Sequence, residues 1–115
     1  MRWFRAMLNA LRLAQGWKAP TPEIGRDLPS NYAEGEKVFD ARVKASFPIG
    51  MSVEALLAEL RRQGFGLLPE AGLDSVSDAT FYRDELVCLT LWSVRWHASG
   101  GCVTEIWGVY GCRAP

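Results

Sequence analysis

Residues 86–112 read LVCLTLWSVRWHASGGCVTEIWGVYGC, and the fold turns on them. Two runs rich in β-branched and aromatic residues flank Ser99-Gly100-Gly101, a cluster of turn formers. The stretch therefore predicts a β-hairpin with strands at about 86–97 and 102–112. Pairing across a three-residue turn makes opposed positions sum to 200. Arg95 then faces Glu105, Val94 faces Ile106, Leu91 faces Val109, and Trp92 lies over Gly108, where a ring covers a missing side chain. The same register sets Cys88 across from Cys112. A two-residue turn would oppose Val94 to Glu105, a poorer pair.

One face of this hairpin carries Cys88, Thr90, Trp92, Val94, Trp96, Ile106 and Tyr110, and it is expected to pack on a helix. The other carries Val87, Leu89, Leu91, Trp107 and Val109 at one end, with Ser93, Arg95, His97 and Glu105 nearer the turn. A face in contact with water is not expected to be so apolar. Leu89, Leu91, Trp107 and Val109 are therefore a candidate partner surface. Its cover could be an N-terminal helix, a second copy of the chain, or another protein.

Working outward, residues 79–83 read as another strand, with a turn at Asp84-Glu85. Residues 52–63 carry the best helix marks in the chain. Ser52 stands at the N-cap, Glu54 lies in the first turn, and Val53, Leu56, Leu57 and Leu60 form a stripe. Arg61 and Arg62 lie in the last turn, and Gly64 closes the helix with Phe65 folding back. Residues 38–47 alternate Phe39, Ala41, Val43, Ala45 and Phe47 with polar side chains, which predicts a strand with one wet face. Residues 19–37, punctuated by Pro20, Pro22 and Gly35, read as a linker. At about 3–15, Trp3, Phe4, Met7, Leu8 and Leu11 recur at helical spacing opposite Arg2, Arg5, Asn9 and Arg12. That pattern predicts an amphipathic basic helix with a docking or membrane-facing stripe. The expected architecture is α+β: an antiparallel sheet of three to four strands (about 38–47, 79–83, 86–97 and 102–112) on a helix at about 52–63. A separate N-terminal helix precedes the domain at 38–115.

The chain has 115 residues, room for one hydrophobic core. Thirteen basic and thirteen acidic residues cancel, which argues against nucleic acid as a partner. The charge is unevenly placed: residues 1–18 hold four bases and no acid, leaving nine bases and thirteen acids in the other 97. No run reaches the length of a membrane-spanning helix. The early arginines have the look of a leader, but Asn9 and Arg12 interrupt the apolar stretch and no lipid-accepting cysteine follows. Residence in the cytoplasm or at a membrane periphery is expected, with the periplasm left open. A membrane surface could be met through residues 3–14.

Three cysteines leave one unpaired in any scheme. Cys88 and Cys112 form a candidate disulfide, and free thiols are the favoured alternative. His97 and Cys102 flank the turn, but one histidine with scattered cysteines does not make a zinc set. The same two residues could found a small thiol-dependent enzyme, yet no third group is placed to orient the histidine. No phosphate-binding glycine loop opens a helix, and no cofactor is implied.

Phe47-Pro48-Ile49-Gly50-Met51-Ser52, then Leu56, Leu60 and Gly64-Phe65, followed by Trp92-Ser93-Val94 and Val103-Thr104-Glu105-Ile106, form an ordered set. In that order the chain resembles the small α+β module of the SmpA/OmlA (BamE-like) lipoproteins, similar in fold to the β-lactamase-inhibitor-protein module. The resemblance covers residues 45–112 and implies helical structure followed by a three-stranded antiparallel sheet. It also implies action by binding another protein, in the cell envelope or as an inhibitor. The sequence departs from that pattern in lacking the lipid-accepting cysteine and in its expected strand at 38–47. The function expected is a non-enzymatic protein-interaction module with a protein partner or a second copy. A peripheral membrane protein held by residues 3–14 is the alternative.

Overall fold

A computed structural model describes residues 19–67, 76–85 and 87–113. The amphipathic helix expected at 3–15, with Trp3, Phe4, Met7, Leu8 and Leu11, lies outside the described residues. The described chain is α+β. A 3-10 turn at Glu23–Gly25 is followed by helix α1 (Tyr32–Ser46) and helix α2 (Val53–Gln63). Four strands complete it: β1 (Gly66–Leu67), β2 (Ser77–Asp84), β3 (Leu89–Ser99) and β4 (Cys102–Arg113). The sheet is an antiparallel meander in the order β1-β2-β3-β4.

The strand expected at 38–47 is instead the second half of α1, and the linker expected at 19–37 holds the first. Asn31 caps α1, its side chain accepting from Glu34 N at 3.0 Å. Phe39 and Val43 are buried on one side of the helix and Phe47 at its end, while Ala41 and Ala45 face water. Those three apolar residues recur every four positions, the helical interval. Residues 19–31 are no free linker: they pack as a strap, with Ile24 in the core and Trp92 Nε1 donating to Gly25 O at 3.1 Å.

Helix α2 begins and ends as its sequence marks predict. Ser52 Oγ accepts from Ala55 N, and Gly64 takes a left-handed φ of 103° at the C-cap. Phe65 N then donates to Leu60 O, which turns the Phe65 ring into the core. The core joins Phe39, Val43 and Phe47 of the α1 segment to Leu56 and Leu60 of α2. The sheet supplies Ala79, Trp92, Val94, Trp96, Val103 and Ile106. Each large side chain buried there contributes about 1.5–3 kcal/mol.

The hairpin register differs from expectation. Gly100 and Gly101 both have positive φ, 60° and 77°, and make a two-residue turn that pairs Ser99 with Cys102. Ala98 pairs with Val103 and His97 with Glu105, so Thr104 is an extra residue in β4. Beyond this bulge, opposed positions sum to 202. Arg95 therefore faces Trp107, Val94 faces Gly108, Leu91 faces Gly111, and Trp92 faces Tyr110. The slip from the expected register is two residues, so Thr90, Trp92, Val94, Trp96, Ile106 and Tyr110 keep one face and Leu89, Leu91, Trp107 and Val109 the other.

Both described helices pack on one side of the sheet, the inner face. Phe39 of α1 sits so close to Gly108 that a Cβ there would meet its ring. Along the free side of β4, α1 presents two carboxylates to strand amides. Gly108 N donates to Asp40 Oδ1 at 2.9 Å and Tyr110 N to Glu36 Oε2 at 3.0 Å. Four residues of helix rise about 6 Å and two of strand about 6.8 Å, so the spacings match. No described helix is long and apolar enough to cross a membrane.

Candidate functional site

The outer face of the sheet, opposite the helices, carries the surface that the sequence singles out. Leu89, Trp107 and Val109 are half-buried there, while Leu91 is buried with 3% of its surface exposed. Tyr82, paired with Leu91 across β2 and β3, adds a half-exposed ring. Leu89, Leu91 and Tyr82 lie toward one end, and Val109 pairs with Ser93 nearer the middle. Trp107 stands nearer the turn, its ring 5.4 Å from that of His97. Val87, expected on this surface, lies instead in the loop before β3 and is 85% exposed.

The middle of the same face is polar and closed upon itself. Asp78 Oδ1 accepts from Thr80 Oγ1 and from Ser93 Oγ, each at 2.6 Å. Arg95 Nε donates to Asp78 Oδ2 at 3.2 Å and to Ser93 Oγ at 3.2 Å. Ser93 is fully buried and Thr80 nearly so. Hydroxyls so placed are satisfied by one carboxylate, which removes the cost of burying them. Strand geometry makes this cluster: Thr80 pairs with Ser93 and Asp78 with Arg95. The sequence reading missed it because β2 was drawn from residue 79, which leaves Asp78 in a loop. A strand extended by two residues would have shown the opposite-charge pair.

Among the described residues, the structure does not bring His97 and Cys102 into one hydrogen-bonded pair. His97 pairs with Glu105 about 13 Å along β3 from Ser93, four residues at strand rise. Cys102 is a free, exposed thiol at the hairpin turn, and no hydrogen bond among the described residues joins it to His97. No group of three or more His, Cys, Asp or Glu side chains that could hold a metal lies among the described residues. Cys88 and Cys112 are joined in a disulfide, with Cα atoms 5.7 Å apart. They are not directly opposed as expected, since Cys112 pairs with Thr90.

Other concavities among the described residues lie away from this face. An open groove of about 530 Å³ runs between the strap and both helices, lined by Glu23, Arg42, Phe47, Glu59 and Gln63 among others. Its polar groups are already engaged. Arg62 bridges Glu23 and Glu59, Gln63 binds Ile24 N and Glu59, and Arg42 binds the carbonyls of Ile24 and Arg26. The hydrogen bonds from Arg62 and then Gln63 hold the Glu59 carboxyl at about 2, and the two carboxylates raise the Arg62 guanidinium above its ordinary value. The groove is a clasp that fastens the strap. A smaller cleft of about 310 Å³ beneath the strap is floored by Trp92 and Tyr110. Burial, with the nearby Tyr32 and Glu85, raises the Tyr110 phenol above its ordinary value.

Comparison with known protein families, with curated proteins and with solved structures finds no match to this chain.

Proposed function

We propose that the chain is a non-enzymatic protein-interaction module that works in an oxidising compartment and binds through the outer face of its sheet. The observation that carries this reading is the row of Leu89, Trp107, Val109 and Tyr82 on a face that neither described helix covers. Aromatic residues half-exposed beside aliphatic ones are the composition of binding surfaces.

Two further observations support it. A disulfide between Cys88 and Cys112 suits an oxidising location such as the cell envelope rather than the cytoplasm. The order of elements, two helices and then an antiparallel meander, agrees with the resemblance to the SmpA/OmlA module. The departure expected from a strand at 38–47 is gone, since those residues are helical.

The test is affinity capture from the native host with wild type and Trp107→Glu, after both are shown folded by circular dichroism. The expected result is a defined protein that wild type retains and the variant loses at least tenfold. Unfolding of Trp107→Glu would make Trp107 a core residue and remove the surface. Capture of the same set by both proteins would also overturn the reading.

A further inference from the structure

We propose that the Cys88–Cys112 disulfide is a reversible thiol-exchange site, opened by attack of an external thiolate on Cys112 with Cys88 as the leaving group. A dithiol supplies the two electrons. The site is separate from the outer face and does not depend on the binding reading above.

The two sulfurs have unlike surroundings. Cys112 is exposed near the end of β4, whereas Cys88 keeps 7% of its surface. A thiolate must approach along the S–S axis from beyond the sulfur it strikes, so access selects Cys112.

Cys88 is placed to leave. Tyr32 Oη stands 3.9 Å from Cys88 Sγ and 3.3 Å from Thr90 Oγ1, and Thr90 Oγ1 stands 4.0 Å from the same sulfur. A disulfide sulfur carries no hydrogen, so in each contact with it the hydroxyl is the donor. When the S–S bond breaks, its electron pair goes to Cys88 Sγ, where the new thiolate meets these donors at once. Hydrogen bonds to the charged form favour it and make the sulfur a better leaving group. Both hydroxyls are held in position. Thr90 is buried and pairs with Cys112 across the strands, and the Tyr32 ring lies 5.1 Å from that of Tyr110.

The first step joins the external sulfur to Cys112 Sγ and breaks the bond to Cys88. The proton lost by the external thiol ends on Cys88. In the second step the other thiolate of the dithiol attacks its own sulfur in the mixed disulfide. Cys112 departs and is protonated, the dithiol is oxidised to a disulfide, and the protein is reduced by two electrons. A monothiol stops at the mixed disulfide on Cys112. Strands β3 and β4 stay paired from Leu89 to Ser99, so opening releases the segment before β3, where Val87 is already 85% exposed. The free thiol of Cys102 lies at the other end of β4, about 33 Å away at strand rise, too far to attack Cys112 in the same molecule.

The experiment uses the full oxidised chain with Cys102→Ser. Glutathione, a monothiol, is added over a range of concentrations, early time points are quenched with acid, and free thiols are alkylated with N-ethylmaleimide before peptide mass spectrometry. The expected product carries glutathione on Cys112 and N-ethylmaleimide on Cys88, at least tenfold over the reverse isomer. Its rate should rise in proportion to glutathione without a plateau. A plateau marks attack limited by unfolding and overturns the proposal, as do equal adducts on the two cysteines. Tyr32→Phe should slow exchange about threefold to tenfold at the same selectivity. A merely structural hydroxyl gives the opposite sign, because looser packing exposes Cys88 and speeds attack. An equal or faster rate in Tyr32→Phe therefore overturns the leaving-group assignment. Dithiothreitol, a dithiol, should free both cysteines with no adduct retained while the tryptophan fluorescence of the folded domain persists. Loss of that signal in step with reduction makes the disulfide a brace alone and overturns the proposal. None of these outcomes bears on the outer face, which Trp107→Glu tests.

Discussion

Gly108→Ala should be among the costliest single-methyl additions to this protein. A Cβ built at Gly108 lies 2.8 Å from Phe39 Cδ2 and 3.1 Å from both Phe39 Cε2 and the Asp40 Cα. The ring has no free volume to retreat into, because Phe39 is fully buried, and the Asp40 contact is to helix backbone. Either the core is overpacked, at about 1–3 kcal/mol, or α1 moves off β4. Moving α1 lengthens the bond from Gly108 N to Asp40 Oδ1, and a bond to a charged acceptor contributes about 1.5–3 kcal/mol. Alanine also restricts the unfolded chain and returns about 0.4–1 kcal/mol. The net loss expected is about 0.5–2.5 kcal/mol, or a fall in Tm of roughly 2–12 °C for a domain of this size.

Gly111, three residues along the same strand, is the internal control. A Cβ there meets nothing within 4 Å. Gly111→Ala should therefore leave stability unchanged or raise it by up to about 1 kcal/mol. Urea unfolding of both oxidised variants, followed by tryptophan fluorescence, gives the comparison. If the two variants shift alike, or if Gly108→Ala stays within about 0.5 kcal/mol of wild type, the close seating of α1 on β4 is refuted.

Breaking the Cys88–Cys112 disulfide by Cys88→Ser should cost about 3 kcal/mol, because it opens a loop closed over a sequence separation of 24; equal melting temperatures with and without reductant would contradict this. Asp78→Ala should cost about 2–4 kcal/mol by stranding the buried Ser93 and Thr80 hydroxyls beside Arg95. Asp78→Asn, which keeps an acceptor oxygen, should cost less, and a urea midpoint for Asp78→Ala equal to that of wild type counts against the cluster. Glu59 has a folded value of about 2, below its ordinary 4.5, so its contribution is complete above pH 4.5 and is lost as pH falls toward 2. Arg62→Met should flatten the dependence of the urea midpoint on pH across that window, its loss appearing above pH 4.5 and vanishing toward pH 2 and staying small throughout because the side chains are exposed; parallel curves for variant and wild type would reject the assignment.

The helix at 53–63 and the two strands of the hairpin were legible because each carried several independent marks. For α2 these were a cap, a stripe and a closing glycine, all pointing one way. Residues 38–47 misled because alanine was counted as apolar. With Ala41 and Ala45 included the pattern has period two; without them Phe39, Val43 and Phe47 recur at period four. The Asn31 cap with Glu34 three residues on was also present in the sequence, but the nearby prolines and glycine drew the reading toward a linker. The hairpin register failed for a different reason. The bulge at Thr104 adjoins Val103, which bonds to Gly50 N and Met51 O, a tertiary contact that no local pattern announces. Because the error was an even number of residues, the outer-face residues were still grouped correctly. The Asp78 cluster that divides that face was lost with the end of β2.

The edges of the sheet decide how such a module can recognise a partner. At the start of β4, the segment Gly50–Val53 bonds to Gly101 and Val103, and Ser52 bridges to Cys102. Farther along, Asp40 and Glu36 occupy the amides of Gly108 and Tyr110. A strand added there would have to displace two carboxylates and a stretch of paired backbone, so β4 is protected against edge pairing. On the other side β1 covers β2 only at Ala79 and Thr80, and residues 81–84 are the longer of the two stretches of β2 that no described strand pairs on that side. That edge adjoins Ala19, through the bond to Arg83, and the apolar end of the outer face. Strand addition and face docking thus share one corner of the molecule.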